Sequence, residues 1–277
     1  MTNSGQPSIV DAHVHLWDPR TFRMPWLDGD PVLEQPFGPA EYAAATDGLD
    51  VEAFVYVQVD ATPAYGLLEA QWAAERGPAG IVAWAPVEDG PVMRSYLDAL
   101  VKTPRVKGVR RLIQSEADPD FPLRLIDGLK LLPDYGLTFD ICIRHQQLAR
   151  SIDMVRACPD TNFILDHLGK PPIKAQQLDP WRSQITELAE LPNVLACKVS
   201  GAVTEADQQH WTARDLEPYI SHVLRAFGED RVMFGGDWPV VLHASSYRRW
   251  VDTVADFTRS PKFWRETARR VYRLDET

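Results

Sequence analysis

Eight short apolar runs recur along this 277-residue chain, each followed by a segment with the length and pattern of a helix. The runs fall near residues 9–15, 53–59, 80–86, 106–112, 138–143, 162–167, 194–199 and 231–235. Most are continuously apolar rather than alternating, as strands covered on both faces must be. Helices are expected over 39–47, 65–76, 93–102, 121–134, 147–157, 179–189, 216–227 and 246–257, several opened by cap-type or proline residues such as Asp179-Pro180. Eight strands alternating with helices close most simply into a parallel α/β barrel, for which ~250 residues is the usual length. The alternative, a doubly wound open sheet, is weakened because no GxGxxG follows the first run. With no low-complexity stretch and no Gly/Ser linker, residues 1–277 are expected to form a single domain.

In such a barrel, function gathers at the C-terminal ends of the strands. The first run, SIVDAHVHLWDP, spaces Asp11, His13 and His15 by two. Residues i and i+2 of a strand share a face, so His13 and His15 should project together while Val10, Ala12 and Val14 pack on the other side. Two imidazoles on a rigid strand can grip a metal or a carbonyl oxygen, although a bare HxH also occurs as a partly exposed histidine pair. The other strand ends deliver Gln58 and Asp60, Trp84, Arg110 with Arg111 and Gln114, Arg144 with His145, Asp166 with His167 and Lys170, Lys198 with Ser200, and Asp237 beside Trp238. Neighbours in a strand point oppositely, so His167 rather than Asp166, and Arg110 rather than Arg111, are expected to face the axis. Lys198 in an apolar run needs a partner or a place facing a pocket. His145 is either a rim residue or a surface residue at a helix start, and His210, His222 and His243 read as surface residues. The Pro-rich segment 19–39 should loop over one end of the barrel. Trp17, Phe22, Trp26 and Phe37 either line a pocket there or pack the loop down.

The formal charge of -10 argues against a nucleic-acid or anionic-membrane partner, both of which demand a basic footprint. The basic stretch holding Arg105, Lys107, Arg110 and Arg111 is too short to reverse that. No run of 18 apolar residues indicates a membrane span, and the first ten residues lack the pattern of a signal peptide. Cys142, Cys158 and Cys197 are odd in number and form no CxxC pair. They point to a reduced, cytoplasmic protein without disulfides or a zinc knuckle.

Five blocks in order, DAHVHLWDP, VKGVRRLIQSE, FILDHLGKPPI, CKVSGAVTEAD and MFGGDWPV, resemble the amidohydrolase superfamily. The likeness is to its amidohydrolase-related (amidohydrolase 2) branch of sugar lactonases, nearest the fuconolactonase and rhamnonolactonase types, and covers residues 9–274. The resemblance implies a distorted TIM (β/α)8 barrel that hydrolyses a sugar lactone, a small molecule, to its aldonic acid. Matched by motif, His13 and His15 are the strand-one pair, His167 the strand-six histidine and Asp237 the strand-eight acid. No lysine on strand four matches a bridging carboxylated lysine, and strand five offers no second metal histidine, so a two-metal centre does not follow.

On this reading Asp237 is the general base, its weak basicity (a free Asp has a pKa of ~3.9) raised by burial beside Trp238. His13, His15 and His167 polarise the carbonyl, either directly or through a divalent ion, zinc foremost, held by His13, His15 and Asp237. Lactonases of this branch do not all require the ion, and no organic cofactor is expected. Arg110, Gln114, Lys170 and Lys198 are candidates to bind ring hydroxyls or a carboxylate, and Trp26, Trp84 and Trp238 to stack on the ring. The competing readings are a metal-dependent decarboxylase of an aromatic acid and a non-catalytic barrel that binds sugar acids. The sequence sets no oligomeric state.

Overall fold

A computed structural model of the chain describes residues 7–276. Its centre is an eight-stranded parallel sheet in sequential order: β1 (Ser8–Val14), β2 (Asp50–Val57), β3 (Gly80–Ala83), β4 (Val106–Val109), β5 (Thr138–Ile141), β6 (Phe163–Leu165), β7 (Val194–Val199) and β8 (Val232–Phe234). Around it run α1 (Pro39–Ala45), α2 (Gly66–Ala74), α3 (Arg94–Leu100), the short turns α4 (Phe121–Arg124) and α5 (Ile126–Leu129), then α6 (Leu148–Arg156), α7 (Trp181–Ala189), α8 (Ala202–Glu205), α9 (Ala213–Phe227), α10 (Tyr247–Ala255) and α11 (Thr267–Val271). This is the expected (β/α)8 barrel. No helix among the described residues is long and apolar enough to cross a membrane. All three cysteines are buried free thiols.

The helix expected over 121–134 is broken into α4, α5 and a 3-10 turn, Leu132–Tyr135. Pro133 withdraws a backbone donor from any continuous helix, whereas Pro122, in the first turn, withdraws none that the helix would use. Gly128 presses so closely on the preceding segment that a Cβ there would lie 2.1 Å from the Val87 carbonyl oxygen. Several strands also end before their expected limits, because the chain leaves the sheet to present its rim residues.

Strand alternation fills the barrel interior with Val10, Ala12, Val55, Val57, Val82, Ile164, Ala196 and Met233. Ala268, Val271 and Tyr272, in and just after α11, pack into the same interior cluster. Here the simple reading of β1 fails, because Val10 and Ala12 face inward and so does His13. Asp11 sits opposite Phe54 and Val14 opposite Tyr56, which leaves one extra residue on β1. That bulge inverts the alternation, sending His13 to the axis and Val14 to the outer core.

The seam that closes the barrel between β1 and β8 is made at the rim. Val14 bridges Trp238, His15 N donates to Trp238 O at 2.7 Å, and Asp237 N donates to His13 O at 2.8 Å. Asp11 seals the same seam. Its fully buried carboxylate accepts from the Gly236 N–H (2.7 Å), the His13 N–H (3.0 Å), Tyr42 OH (3.0 Å) and Tyr247 OH (2.8 Å). The seam therefore fixes His13, His15 and Asp237 relative to one another.

Candidate active site

Four side chains from three strand ends meet at this rim. His13 Nε2 lies 3.2 Å from His15 Nε2 and 3.8 Å from Asp237 Oδ1. His15 Nε2 is 3.5 Å, and His167 Nε2 3.9 Å, from that same oxygen. Two backbone turns bring the acid and the third imidazole inward, since Asp237 (φ 51°) and His167 (φ 53°) both adopt the left-handed region. Strained conformations of this kind cluster at functional sites. The turn also corrects an expectation. Asp166 and His167 do not face opposite ways. Asp166 follows the inward phase of Ile164, and the left-handed turn returns His167 to the same side. Gly201 (φ 60°) lets the chain pass beneath them, where a Cβ would lie 2.8 Å from the His167 ring and 3.1 Å from Asp237 Oδ2.

The hydrogen bonds show what the cluster is fitted for. His15 Nδ1 donates to Val57 O at 2.8 Å, so its Nε2 carries a lone pair. That lone pair faces the Asp237 carboxylate at 3.5 Å, and neither group can donate. Two opposed acceptors need a cation or a donor between them, and the gap is one that a shared ion with bonds of about 2.0–2.2 Å spans. His13, His15 and Asp237 offer three donor atoms within 4.8 Å of one another, so the set fits a divalent ion. Protonation agrees. Burial pushes the His13 imidazole well below its ordinary value, with Lys198 adding to the effect, and burial also lowers His15. His167 is pushed down to about 4 by burial, against the pull of Asp237. The imidazoles are thus neutral near pH 7, the state a metal ligand requires. Burial does not raise Asp237 as expected. The imidazoles of His167, His15 and His13 outweigh it and hold the carboxyl well below the usual carboxylate range.

Beneath the cluster lies a charged floor. Lys198 Nζ is 2.6 Å from Asp140 Oδ2, 2.9 Å from Asp166 Oδ1 and 3.2 Å from His13 Nδ1, and all four residues are fully buried. Tyr272 OH donates to Asp140 at 2.6 Å. Arg110 Nη1 reaches Asp166 at 3.4 Å and His13 Nε2 at 3.3 Å, and its Nη2 donates to Gln58 O at 2.5 Å. Arg110 is the inward arginine, while Arg111 pairs with Glu88 and Glu116.

Above the cluster opens a cavity of about 180 Å³, lined in part by His15, His167, Asp237, Arg110, Gln114, Lys170, Cys142, Trp26 and Asp60. Of the residues expected to contact a ligand, Trp26, Arg110, Gln114 and Lys170 are in this wall. Cys142 Sγ donates to Gln114 Oε1 at 3.5 Å, and Lys170 Nζ stands 3.8 Å from Glu205. Three others are not in the wall. Lys198 found its partners in the floor, where Asp140 and Asp166 hold it away from the cavity. Trp84 leaves β3 outward and packs edge-on against Tyr96 (5.7 Å) and over Gly66. Trp238 is buried against Phe37 and Tyr42 at 5.3 and 5.2 Å. Trp17, Phe22 and Phe37 pack the loop down as buried core, and only Trp26 of that group reaches the cavity. His145 is half-buried, its Nδ1 3.2 Å from Lys170 O, and His243 pairs with Asp30 at 3.1 Å. Sequence reasoning missed Asp140 as Lys198's partner, and it placed Asp60 at the end of the second strand without giving it a role. Inward phase on β5 was the available signal for Asp140.

The amidohydrolase family model matches residues 10–274. The chain is 30% identical to an L-fucono-1,5-lactonase of Burkholderia multivorans, across 96% of both chains. It is 29% identical to an L-fucono-1,5-lactonase of Burkholderia ambifaria, across 87% of this chain and 85% of that one. The crystal structure of an amidohydrolase from Burkholderia multivorans with bound zinc superposes with a TM-score of 0.84 at 29% identity, covering 96% of this chain and 99% of that chain. A match that runs through every strand of the barrel, together with the histidine–aspartate cluster at its rim, places this chain in the amidohydrolase family.

Proposed function

We propose that this protein opens a sugar (aldono-)lactone to its aldonic acid, with a 6-deoxyhexonolactone of the fuconolactone type as the nearest substrate class. The carrying observation is the Asp237 carboxylate converging with three neutral imidazoles at the base of a cavity suited to one small ring. The full-length likeness to proteins named as L-fucono-1,5-lactonases supports the choice of ester.

A lactone is an ester whose leaving group stays tethered. Opening it requires a polarised carbonyl, a deprotonated water and a proton for the ring oxygen. His13, His15 and Asp237 would hold a divalent ion, zinc by analogy with the related crystal structure, which supplies Lewis-acid polarisation of the carbonyl. Asp237 is the general base, ionised at every working pH, and such a base is typically worth roughly 10²–10⁴-fold. Its low pKa limits its intrinsic strength, which suits a reactive lactone better than an amide. The proton it takes from water passes to the ring oxygen as the C–O bond breaks, so one water is consumed and one acid released. His167 is anchored through Nδ1 to Ser200 Oγ (2.8 Å), which keeps Nε2 on the Asp237 side. Arg110, Gln114 and Lys170 meet the ring substituents.

An indicator assay of acid release from a panel of aldonolactones, L-fucono-1,5-lactone and an L-rhamnonolactone among them, tests the reading with zinc and with chelator. Acid release from at least one is expected. A flat trace for the whole panel in the presence of zinc would end the proposal.

A further inference from the structure

Asp60 is a cavity acid that the reaction above leaves without a task. It follows β2 with its backbone held at φ 56°, its N–H given to Gln58 Oε1 at 2.5 Å. Of the eight non-glycine residues at positive φ among the described residues, four line this cavity: Asp60, His167, Lys170 and Asp237. The other acids packed around the site are engaged. Asp11, Asp140, Asp166 and Glu69 each meet two or more donors. Asp60 differs, since among the described residues no hydrogen bond or ion pair reaches its carboxylate. Both of its oxygens remain available at the wall of a ligand-sized space.

Trp26 stands beside it. The indole Nε1–H donates to Val59 O at 2.8 Å, and the ring meets Trp17 edge-on at 5.4 Å. Two independent contacts therefore fix a side chain that is 40% exposed and lines the same cavity. An aromatic face and a two-oxygen acceptor are thus tied to adjacent residues, 59 and 60. An indole covers the C–H face of a saturated ring, while a carboxylate accepts from two hydroxyls at once.

We propose that Asp60 and Trp26 form a hydroxyl-reading subsite, selecting a lactone ring that carries two adjacent hydroxyls over one that carries none. The identity of the ring rests on the lactone-hydrolase reading, and the subsite adds what that ring must display. A site built to pair with hydroxyls rejects an analogue lacking them, because its own polar groups are then left desolvated and unpaired.

The test compares kcat/KM for L-fucono-1,5-lactone with that for δ-valerolactone, in the wild type and in Asp60→Asn. Asparagine tolerates the left-handed backbone, and Asp60→Gly, which removes both the carboxylate and any strain, serves as the second variant. In both variants the ratio of the two kcat/KM values should fall by about 100-fold, the scale of two charge-assisted hydrogen bonds. A ratio that stays within about 3-fold of the wild type, whether or not overall activity drops, overturns the proposal. A wild type that opens no lactone defeats the lactonase reading separately. The subsite is then decided by calorimetric titration with L-fucose, an uncharged ring bearing the same hydroxyls. Weaker binding to both variants sustains it. Equal binding, or no binding to the wild type, overturns it.

Discussion

Lys198 and Asp166 form an ion pair of 2.9 Å in which both side chains are wholly excluded from solvent, directly under His13. The lysine also holds Asp140 at 2.6 Å. With Arg110 against Asp166, two cations balance two carboxylates in the barrel's interior, and the assembly forms the bed on which the histidine cluster rests.

Removing that lysine should be costly. Lys198→Met fills the space but leaves two buried carboxylates facing each other. Breaking such a pair from one side destabilises by about 3–5 kcal/mol. Urea unfolding followed by tryptophan fluorescence checks this. A loss well below about 1 kcal/mol would mean that the floor relaxes or hydrates freely.

Glu69 gives a pH dependence. Its carboxyl accepts from Tyr56 OH (2.9 Å) and the Val59 N–H (2.8 Å), and burial raises its pKa from 4.5 to about 7 against those bonds. A raised pKa in the folded state means that the native protein binds this proton more tightly than the unfolded chain. Glu69's contribution is therefore fully present below pH 4.5 and is lost as the pH rises through about 7. Glu69→Gln keeps both accepted bonds and never ionises. Its stability relative to the wild type should rise between about pH 5 and about pH 8, by up to roughly 3 kcal/mol. Parallel denaturation curves at the two pH values read this, and a pH-independent difference contradicts it.

Metal content follows from His15, whose Nε2 lone pair faces Asp237. His15→Ala removes one of three donors and should lower zinc affinity by about 10–100-fold or more, judged against the loss typical of weaker, indirect ligand contacts. Competition with a chromogenic chelator measures it. Unchanged affinity would place the ion elsewhere.

How much of this was legible in the chain varies by residue. The β7 run is apolar except for Lys198, and its limits were read as Val194–Val199. The β1 bulge left no trace, because DAHVH alternates perfectly whether or not Asp11 and Val14 slip against β2. The demand that Lys198 have a partner follows from desolvation alone. That the partners are Asp140 and Asp166 depends on the barrel bringing three strands together, which no local pattern encodes. His167 was found inward for the wrong reason, since a left-handed turn at a non-glycine residue overrides alternation. The tryptophans were the least legible. Trp26, Trp84 and Trp238 look alike in sequence, and only packing against Trp17, Tyr96 or Phe37 decides which of them meets the cavity.

The central claim is that the rim cluster does the chemistry through Asp237. Its most direct test is initial-rate turnover of L-fucono-1,5-lactone by zinc-loaded wild type and Asp237→Asn, with far-ultraviolet circular dichroism confirming that both are folded. A fall in kcat of about 10²-fold or more is the predicted result. Equal rates in two folded, equally metallated proteins would contradict it.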